Sequence, residues 1–391
     1  MSRIEDLIAT HCPDGVPFRS VGEAALVVRM PGQVKREDFA RGSTFPIVDQ
    51  SVDFIAGYTD DPSLVVSLQP YVVFGDHTRA VKYVDFAFAQ GADGIKVLQA
   101  ADGLSTRWLY YCLAHFDIPS RGYNRHWTVV RDLRIPVPPP PVQAEIMRVL
   151  DAFVSLQTEL ESELELRSRQ YAFYRDSLLA FADRGTVRWA TLSEVGSLYN
   201  GLTGKAKADF QDGNARFVTY MNVFKNLATD TTPDTLVKVG TQERQNEVRY
   251  GDVLFTASSE SAEEVGMASG VTVEPPGRLY LNSFCFGFRP NDPSELHPEF
   301  SKHLFRSAAI RRQIIKTASG VTRINISKER FRKVEIPIPA PAEQVRLASL
   351  LDRFEALTND LSVGLPAEIR ARQAQYESYR DRLLTFEELA S

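Results

Sequence analysis

Ile135-Pro136-Val137-Pro138-Pro139-Pro140-Pro141 leads through Gln143 into a long apolar-periodic stretch that closes on Tyr174-Arg175-Asp176, Leu178-Leu179 and Phe181. The pattern returns as Ile336-Pro337-Ile338-Pro339, Pro341 and Gln344, closing on Tyr379-Arg380-Asp381, Leu383-Leu384 and Phe386. Matched positions lie 201 residues apart at the start (Gln143/Gln344, Leu150-Asp151/Leu351-Asp352, Phe153/Phe354) and 205 apart at the end. An internal repeat means two copies of one structural unit. Two copies in one chain also suit a pseudo-two-fold molecule that grips something itself bipartite.

Each proline cluster forces extended backbone and reads as a rigid exit from a globular domain just before a helix. From Ile146 the first helix steps by four and three through 150, 153, 157, 160, 164, 167, 171, 174, 178 and 181. Only Gln157 and Arg167 on that line are neither apolar nor tyrosine. The intervening faces carry Glu159, Glu161, Glu163, Glu165, Arg169 and Arg175. This is a narrow coiled-coil seam rather than the wide stripe of a core helix. The second copy inserts one extra step of four between Leu365 and Ile369, a stutter. Gly364 and Pro366 lie there, so a kink or break competes with a smooth stutter. Each helical segment spans about 40 to 45 residues, roughly 60 to 68 Å. Such a helix needs a partner: either a coiled coil that only oligomerises, or pairing of the two copies within one chain as a spacer. Equal lengths and matched seams favour the second.

The rest of the chain, residues 1–140 and 183–340, carries landmarks in the same order. Tyr71-Val72-Val73-Phe74 answers to Asp252-Val253-Leu254-Phe255, and Gly122-Tyr123-Asn124-Arg125 to Gly320-Val321-Thr322-Arg323. Short β-branched and aromatic runs are punctuated by Gly and Pro, with one helix expected in each, near 106–114 and 299–315. The expected fold class is α+β: two domains with irregular β-sheets, separated by two long antiparallel helices forming a coiled coil, with an internal pseudo-two-fold repeat.

Composition is that of an ordinary globular protein of 391 residues, 43% hydrophobic and 24% charged, which argues against disorder. No apolar run approaches the ~20 residues that cross a bilayer. The charged segment Met1 to Leu7 does not read as a signal peptide. Three scattered cysteines, Cys12, Cys112 and Cys285, point to a reducing, cytoplasmic setting without disulfides or a zinc site. The net charge of −5 conceals a local excess. Between Lys302 and Lys333 stand ten Lys or Arg against one acid, Glu329. A solvated helix face is one explanation; an anionic partner such as DNA phosphate is the other. The loop Ser319–Asn325 adds Arg and Asn, side chains that read guanine and adenine edges.

No catalytic constellation emerges. Gly201-Leu202-Thr203-Gly204-Lys205 lacks the glycine spacing and the Ser or Thr of a phosphate loop. The six histidines stand nowhere at metal-ligand spacing to a cysteine.

Module, Ile-Pro-x-Pro exit, long helix, repeated once, resembles the specificity subunit of type I restriction–modification systems. The resemblance covers essentially the whole chain. Its most specific piece runs from Gly320-Val321-Thr322-Arg323-Ile324-Asn325-Ile326-Ser327 into Val334-Glu335-Ile336-Pro337-Ile338-Pro339 and Glu343-Gln344. The first copy departs from it: Asn124 stands where Thr322 does, Val142-Gln143 replaces Glu343-Gln344, and three residues are missing before Ile135. The resemblance implies a first target-recognition domain over 1–140, a central helix over 141–182, a second target-recognition domain over 183–340 and a C-terminal helix over 341–388. Each domain would read one half of a split, asymmetric duplex DNA site. The helices would set the gap and dock two copies of an adenine-N6 methyltransferase subunit, joined by a translocating endonuclease subunit. This chain would then be non-catalytic and hold no cofactor; S-adenosylmethionine, ATP and magnesium would belong to the partners.

The expected DNA-contacting residues are Thr322, Arg323, Asn325, Ser327, Lys328 and Arg330, with Tyr220, Asn222 and Lys225 nearby. In the first domain they are Asn124, Arg125 and His126, helped by Thr78 and Arg79. Competing readings are a coiled-coil scaffold that binds no DNA, and an enzyme such as a nuclease with its site hidden in the modules. A solitary chain serving a fused restriction–methylation enzyme is a nearer variant.

Overall fold

The computed structural model describes residues 3–40, 42, 44–91, 94–120, 122, 124–181, 185, 187–359 and 364–389. Its contacts group into two compact units, one of residues 1–161 with 369–391 and the other of residues 162–368. The division differs from boundaries drawn at the proline exits. Each unit takes one module together with part of the central helix and part of the C-terminal helical segment.

The first unit opens with the helix Arg3–His11. Strand Phe18–Ser20 pairs antiparallel with Arg134–Pro136, the stretch that includes Ile135-Pro136. Ser20 and Glu23 form a reciprocal capping box that starts the turn of helix after that strand. A four-stranded sheet has the order Ala25–Val27, Ile95–Ala100, Tyr71–Gly75, Val81–Val84. A three-stranded sheet joins Phe45–Val48 antiparallel to Gly57–Thr59 and parallel to Ala89–Gln90. The helix Thr106–His115 buries Trp108, Leu109, Tyr111, Cys112 and Leu113 in a core shared with Ile146 and Leu150 and with Leu383 and Leu384.

The second unit repeats this plan strand for strand. Arg188–Thr191 pairs antiparallel with Glu335–Ile338, and Thr191 with Glu194 forms the matching capping box. Its four-stranded sheet has the order Gly196–Asn200, Cys285–Pro290, Val253–Thr256, Ala268–Gly270. Ala215–Val218 is antiparallel to Leu236–Val237 and parallel to Leu279–Leu281. The shared plan includes an uncommon mixed pairing in each module, so two modules with little sequence in common are copies of one fold. The fold is α+β.

The second module adds a three-stranded ribbon of Ser258–Ser259, Ile324–Ile326 and Ala318–Ser319. It also differs from the single helix expected near 299–315, which is two helices, Pro298–Leu304 and Ala308–Lys316. At the corner Ser307 adopts extended backbone, and Arg306 turns inward to bond the carbonyls of Val223, Phe224, Asn226 and Ala268.

The central helix runs Pro140–Leu178 and Phe181 turns to a φ of 41°, so the helix stops before the end of the expected segment 141–182, whose residue 182 lies outside the described residues. Of the expected helix over 341–388, the described residues give Pro341–Asn359 and Gly364–Leu384, while residues 385–388 are not helical; residues 360–363 lie outside the described residues. Pro366 has no amide hydrogen for a continuing helix. Gly364 stands at a φ of 74°, where an added Cβ would lie 2.9 Å from the Leu357 carbonyl oxygen. In the first unit, Ile146 and Leu150 share a core with Leu383 and Leu384, and Phe153 packs on Tyr376 and Tyr379, so the pairing is antiparallel. In the second, Tyr174 stacks on Phe354 with centroids 5.3 Å apart.

The repeated glutamine explains the joint between module and helix. Gln143 donates to the carbonyls of Pro138 and Gly103 and accepts from the Ser105 amide. Gln344 donates to Pro339 and Glu295 and accepts from the His297 amide. Both are buried, at 2% and 0% exposure. Each staples the proline exit, the long helix and the start of the module's own helix. A buried amide with its donors and acceptor satisfied by backbone tolerates no apolar replacement without orphaning those partners.

Candidate nucleic-acid interface

The second module's loop begins at Gly320, whose φ is 133°; a Cβ there would sit 2.1 Å from the Arg323 carbonyl oxygen. Only glycine fits. The loop then enters Ile324–Ile326, the middle strand of the added ribbon. Arg323 donates from Nε to Ser258 Oγ at 3.1 Å, and its guanidinium lies 5.2 Å over the Phe284 ring. Tyr220 donates to the Ser258 carbonyl at 2.9 Å and stacks on Phe224. Tyr220, Thr322 and Arg323 therefore line one open cleft with Met221, Phe284 and Glu260. Val321, at the loop tip, is 96% exposed.

The other expected residues do not share that cleft. Asn325 is exposed on the ribbon, and its amide donates to the Arg323 carbonyl. Arg330 is exposed and bonds Ser319 Oγ at 3.1 Å. Lys225 is exposed at the end of the helix Tyr220–Lys225. Ser327 caps the turn Lys328–Phe331 by accepting from the Arg330 amide. Lys328 bonds Asn200 Oδ1 and lies over the Phe286 ring; burial, then Arg332, holds its ammonium below the usual lysine range. Asn222 ties the 222–230 loop through Asp230 and Asn226. These last three side chains build the surface more than they present themselves to a ligand.

The basic run also divides. Lys302 pairs with Glu299 and Asp352. Arg311 is 9% exposed and bonds the carbonyls of Glu263, Val265 and Gly266. Burial lowers Arg306 to about 10, with Arg311 and Arg175 adding to the effect; burial alone lowers Arg311 to about 10. The cations left facing solvent are Arg312, Lys316, Arg323, Arg330, Arg332 and Lys333.

In the first module Gly122 also takes a left-handed φ, 66°, but nothing lies within 4 Å of an added Cβ. Tyr123 lies outside the described residues. Asn124 and Arg125 are exposed. His126 is buried, at 1% exposure: its ring nitrogen and amide both meet the Asp76 carbonyl, and it stands just before the turn Trp127–Val130. Thr78 is exposed and donates to the Gln50 carbonyl. Arg79, at a φ of 67°, donates to the Ile118 carbonyl at 2.7 Å, which spends part of its guanidinium on the fold.

The repeated aspartate carries a role that the sequence reading passed over. Asp151 accepts from Arg107 and Tyr111, while Arg107 lies 4.2 Å over the Tyr83 ring. Asp352 accepts from His303 at 2.6 Å and pairs with Lys302 at 2.8 Å, and Tyr171 meets the other ring nitrogen of His303. Each locks a long helix to its module. The repeat of Leu-Asp at 150–151 and 351–352, an acid beside a seam position, was the available signal. Among the described residues no group of three or more His, Cys, Asp or Glu is placed to hold a metal ion.

Residues 186–371 match the family model for the type I restriction modification DNA specificity domain. The specificity subunit of the type I restriction enzyme EcoR124I/EcoR124II from Escherichia coli is 31% identical over 373 residues, covering 90% of each chain. A putative type I restriction enzyme specificity subunit from Haemophilus influenzae is 27% identical over 355 residues, 85% of this chain and 86% of its own. Among solved structures, the S subunit of a type I restriction–modification system from M. genitalium shares the fold with a TM-score of 0.53 at 13% identity, covering 95% of this chain and 96% of its own. A chain from a study of assembly and conformational transition in the type I system gives 0.58 at 16% identity, covering 95% and 98%. The chain belongs to the family of type I restriction enzyme specificity subunits.

Proposed function

We propose that this chain reads a split, asymmetric DNA sequence for a type I restriction–modification complex, one half-site per module. The observation that carries the reading is the doubled frame with unequal tips. Two modules share strand order, capping boxes and glutamine staples, yet present different side chains on the loops after Gly122 and Gly320. Identical frames with different tips suit two related tasks on different half-sites. Exposed arginines at both tips, Arg125 and Arg323, supply the side chain that grips guanine edges. Other solvent-facing cations, such as Lys225 and Arg330, would meet phosphates and set register without reading sequence.

In this reading the long helices hold the modules at a fixed gap and dock two adenine-N6 methyltransferase subunits, with an endonuclease–translocase subunit completing the complex. The chain itself is non-catalytic and works in the cytoplasm. Methyl transfer and cleavage, with their S-adenosylmethionine, ATP and magnesium, belong to the partners.

The test is a genome-wide map of N6-methyladenine with and without this gene, the partner genes intact. The reading predicts that methylation disappears from one bipartite motif and from no other. An unchanged map would leave the chain without this role.

A further inference from the structure

The cleft beside Arg323 has a chemical character that phosphate binding does not explain. Met221 is 47% exposed and Phe284 53% exposed, and both line it, so apolar surface faces water next to the guanidinium. Glu260 and Glu264 line the same cleft and are exposed. Two carboxylates would repel a phosphate, whereas a base edge offers amino hydrogens for them to accept. Arg323 is held at Nε by Ser258 and supported by the Phe284 ring, which leaves its terminal nitrogens aimed as a fork. Donor fork, acceptors and apolar surface together form the complement of a major-groove base edge. The apolar part matches the one apolar group that groove presents in unmodified DNA, the C5-methyl of thymine.

We propose that Met221 and Phe284 determine specificity by covering the methyl group of a thymine in the half-site read by the second module, next to the base gripped by Arg323. The proposal rests on the DNA-reading function above and adds which base the cleft selects. Truncating either residue removes the apolar cover without removing the arginine. Thymine and uracil should then become equivalent at that position, while the rest of the motif is still read.

The experiment uses the complex of this chain with its methyltransferase subunits and synthetic duplexes carrying the mapped motif. Each thymine of each half-site is replaced in turn by deoxyuridine, which removes only the methyl group, and binding is measured. Wild type should bind one uracil duplex about three- to fivefold more weakly, the scale of one buried methyl. In Met221→Ala or Phe284→Ala the same thymine-to-uracil ratio should fall to near one. In Arg323→Ala overall affinity should drop while the ratio persists. Because each ratio compares two duplexes on one protein sample, a loss of folded protein does not mimic the result. A second half-site without thymine, a wild-type ratio of one at every position, or a ratio unchanged in both apolar variants would overturn the proposal and leave the DNA-reading function standing. Failure to bind any duplex carrying the motif would instead overturn that function, and this proposal with it.

Discussion

The two modules agree at their roots and part company at their tips. At the root, Gln143 and Gln344 make the same three kinds of hydrogen bond to equivalent backbone groups. One step outward, Asp151 and Asp352 hold the same place but use different partners, the Arg107 cation in one case and the Lys302 cation with the His303 ring in the other. At the tip the likeness ends: the loop after Gly320 is braced by a three-stranded ribbon, while among the described residues the next element after Gly122 is the turn Trp127–Val130. The joint between module and helix is fixed geometry and tolerates little variation. The tip is where two copies can acquire different readings.

The largest effects should come from the shared root. Gln143→Leu and Gln344→Leu each strand buried backbone groups and should each cost about 3 kcal/mol, measured by urea unfolding. Unequal costs would mean the two joints are not equivalent. Next come the aspartates. Asp352→Ala leaves the fully buried His303 without its partner and Lys302 with Glu299 alone, and should cost about 2 to 3 kcal/mol. Asp151→Ala should cost about 1 kcal/mol less, because Arg107 is more exposed and keeps its stacking on Tyr83. Equal losses would show that the exchange of cations has no energetic meaning.

The tips give a smaller contrast. Gly320→Ala meets both an unfavourable φ and the Arg323 carbonyl and should cost about 2 kcal/mol. Gly122→Ala meets only the unfavourable φ and should cost about 1 kcal/mol. Thermal unfolding of the two variants decides this.

The smallest contrast is in pH. Burial holds His303 below the usual imidazole range against the opposing pull of Asp352 and Glu299, and Lys302 adds to the lowering. A histidine held low in the fold binds fewer protons than in the unfolded chain. Its contribution is therefore complete above about pH 6.5 and is lost as pH falls below that, by at most about 1.4 kcal/mol per pH unit. Asp352 is also held low: burial opposes this, but the hydrogen bonds from His303 and Lys302 prevail, so its contribution is lost at still lower pH. His115 in the first unit is lowered too, by burial and by Arg380, but it is partly exposed. His303→Gln should flatten the pH dependence of unfolding more than His115→Gln; the reverse order would misplace the sensitive group.

The repeat, the α+β modules and the helical pairing were legible because they rest on periodicity and on proline, which act locally. The departure from helical backbone at Gly364 was signalled by Gly364 and Pro366 themselves. The fate of individual cations was not legible. Arg306 and Arg311 look like their exposed neighbours in the basic run, and only segments 38 to 83 residues upstream supply the carbonyls that capture them. His126 is withdrawn by Asp76, 50 residues away. The ribbon's strands Ser258–Ser259 and Ala318–Ser319 are two residues long, too short for alternation to show. The place of Arg323 in a glycine-led loop was legible; the Met221 and Phe284 surface that lines the same cleft comes from segments distant in sequence.

The central claim is one module, one half-site. Its most direct test is the N6-methyladenine map of cells whose only copy of this gene carries Arg323→Ala, set against Arg125→Ala and wild type. The account predicts that Arg323→Ala relaxes the sequence of one half of the motif, at about 1 to 3 kcal/mol of lost discrimination, and leaves the other half and the gap unchanged. Arg125→Ala should relax the opposite half. Relaxation of both halves by either single substitution would contradict it.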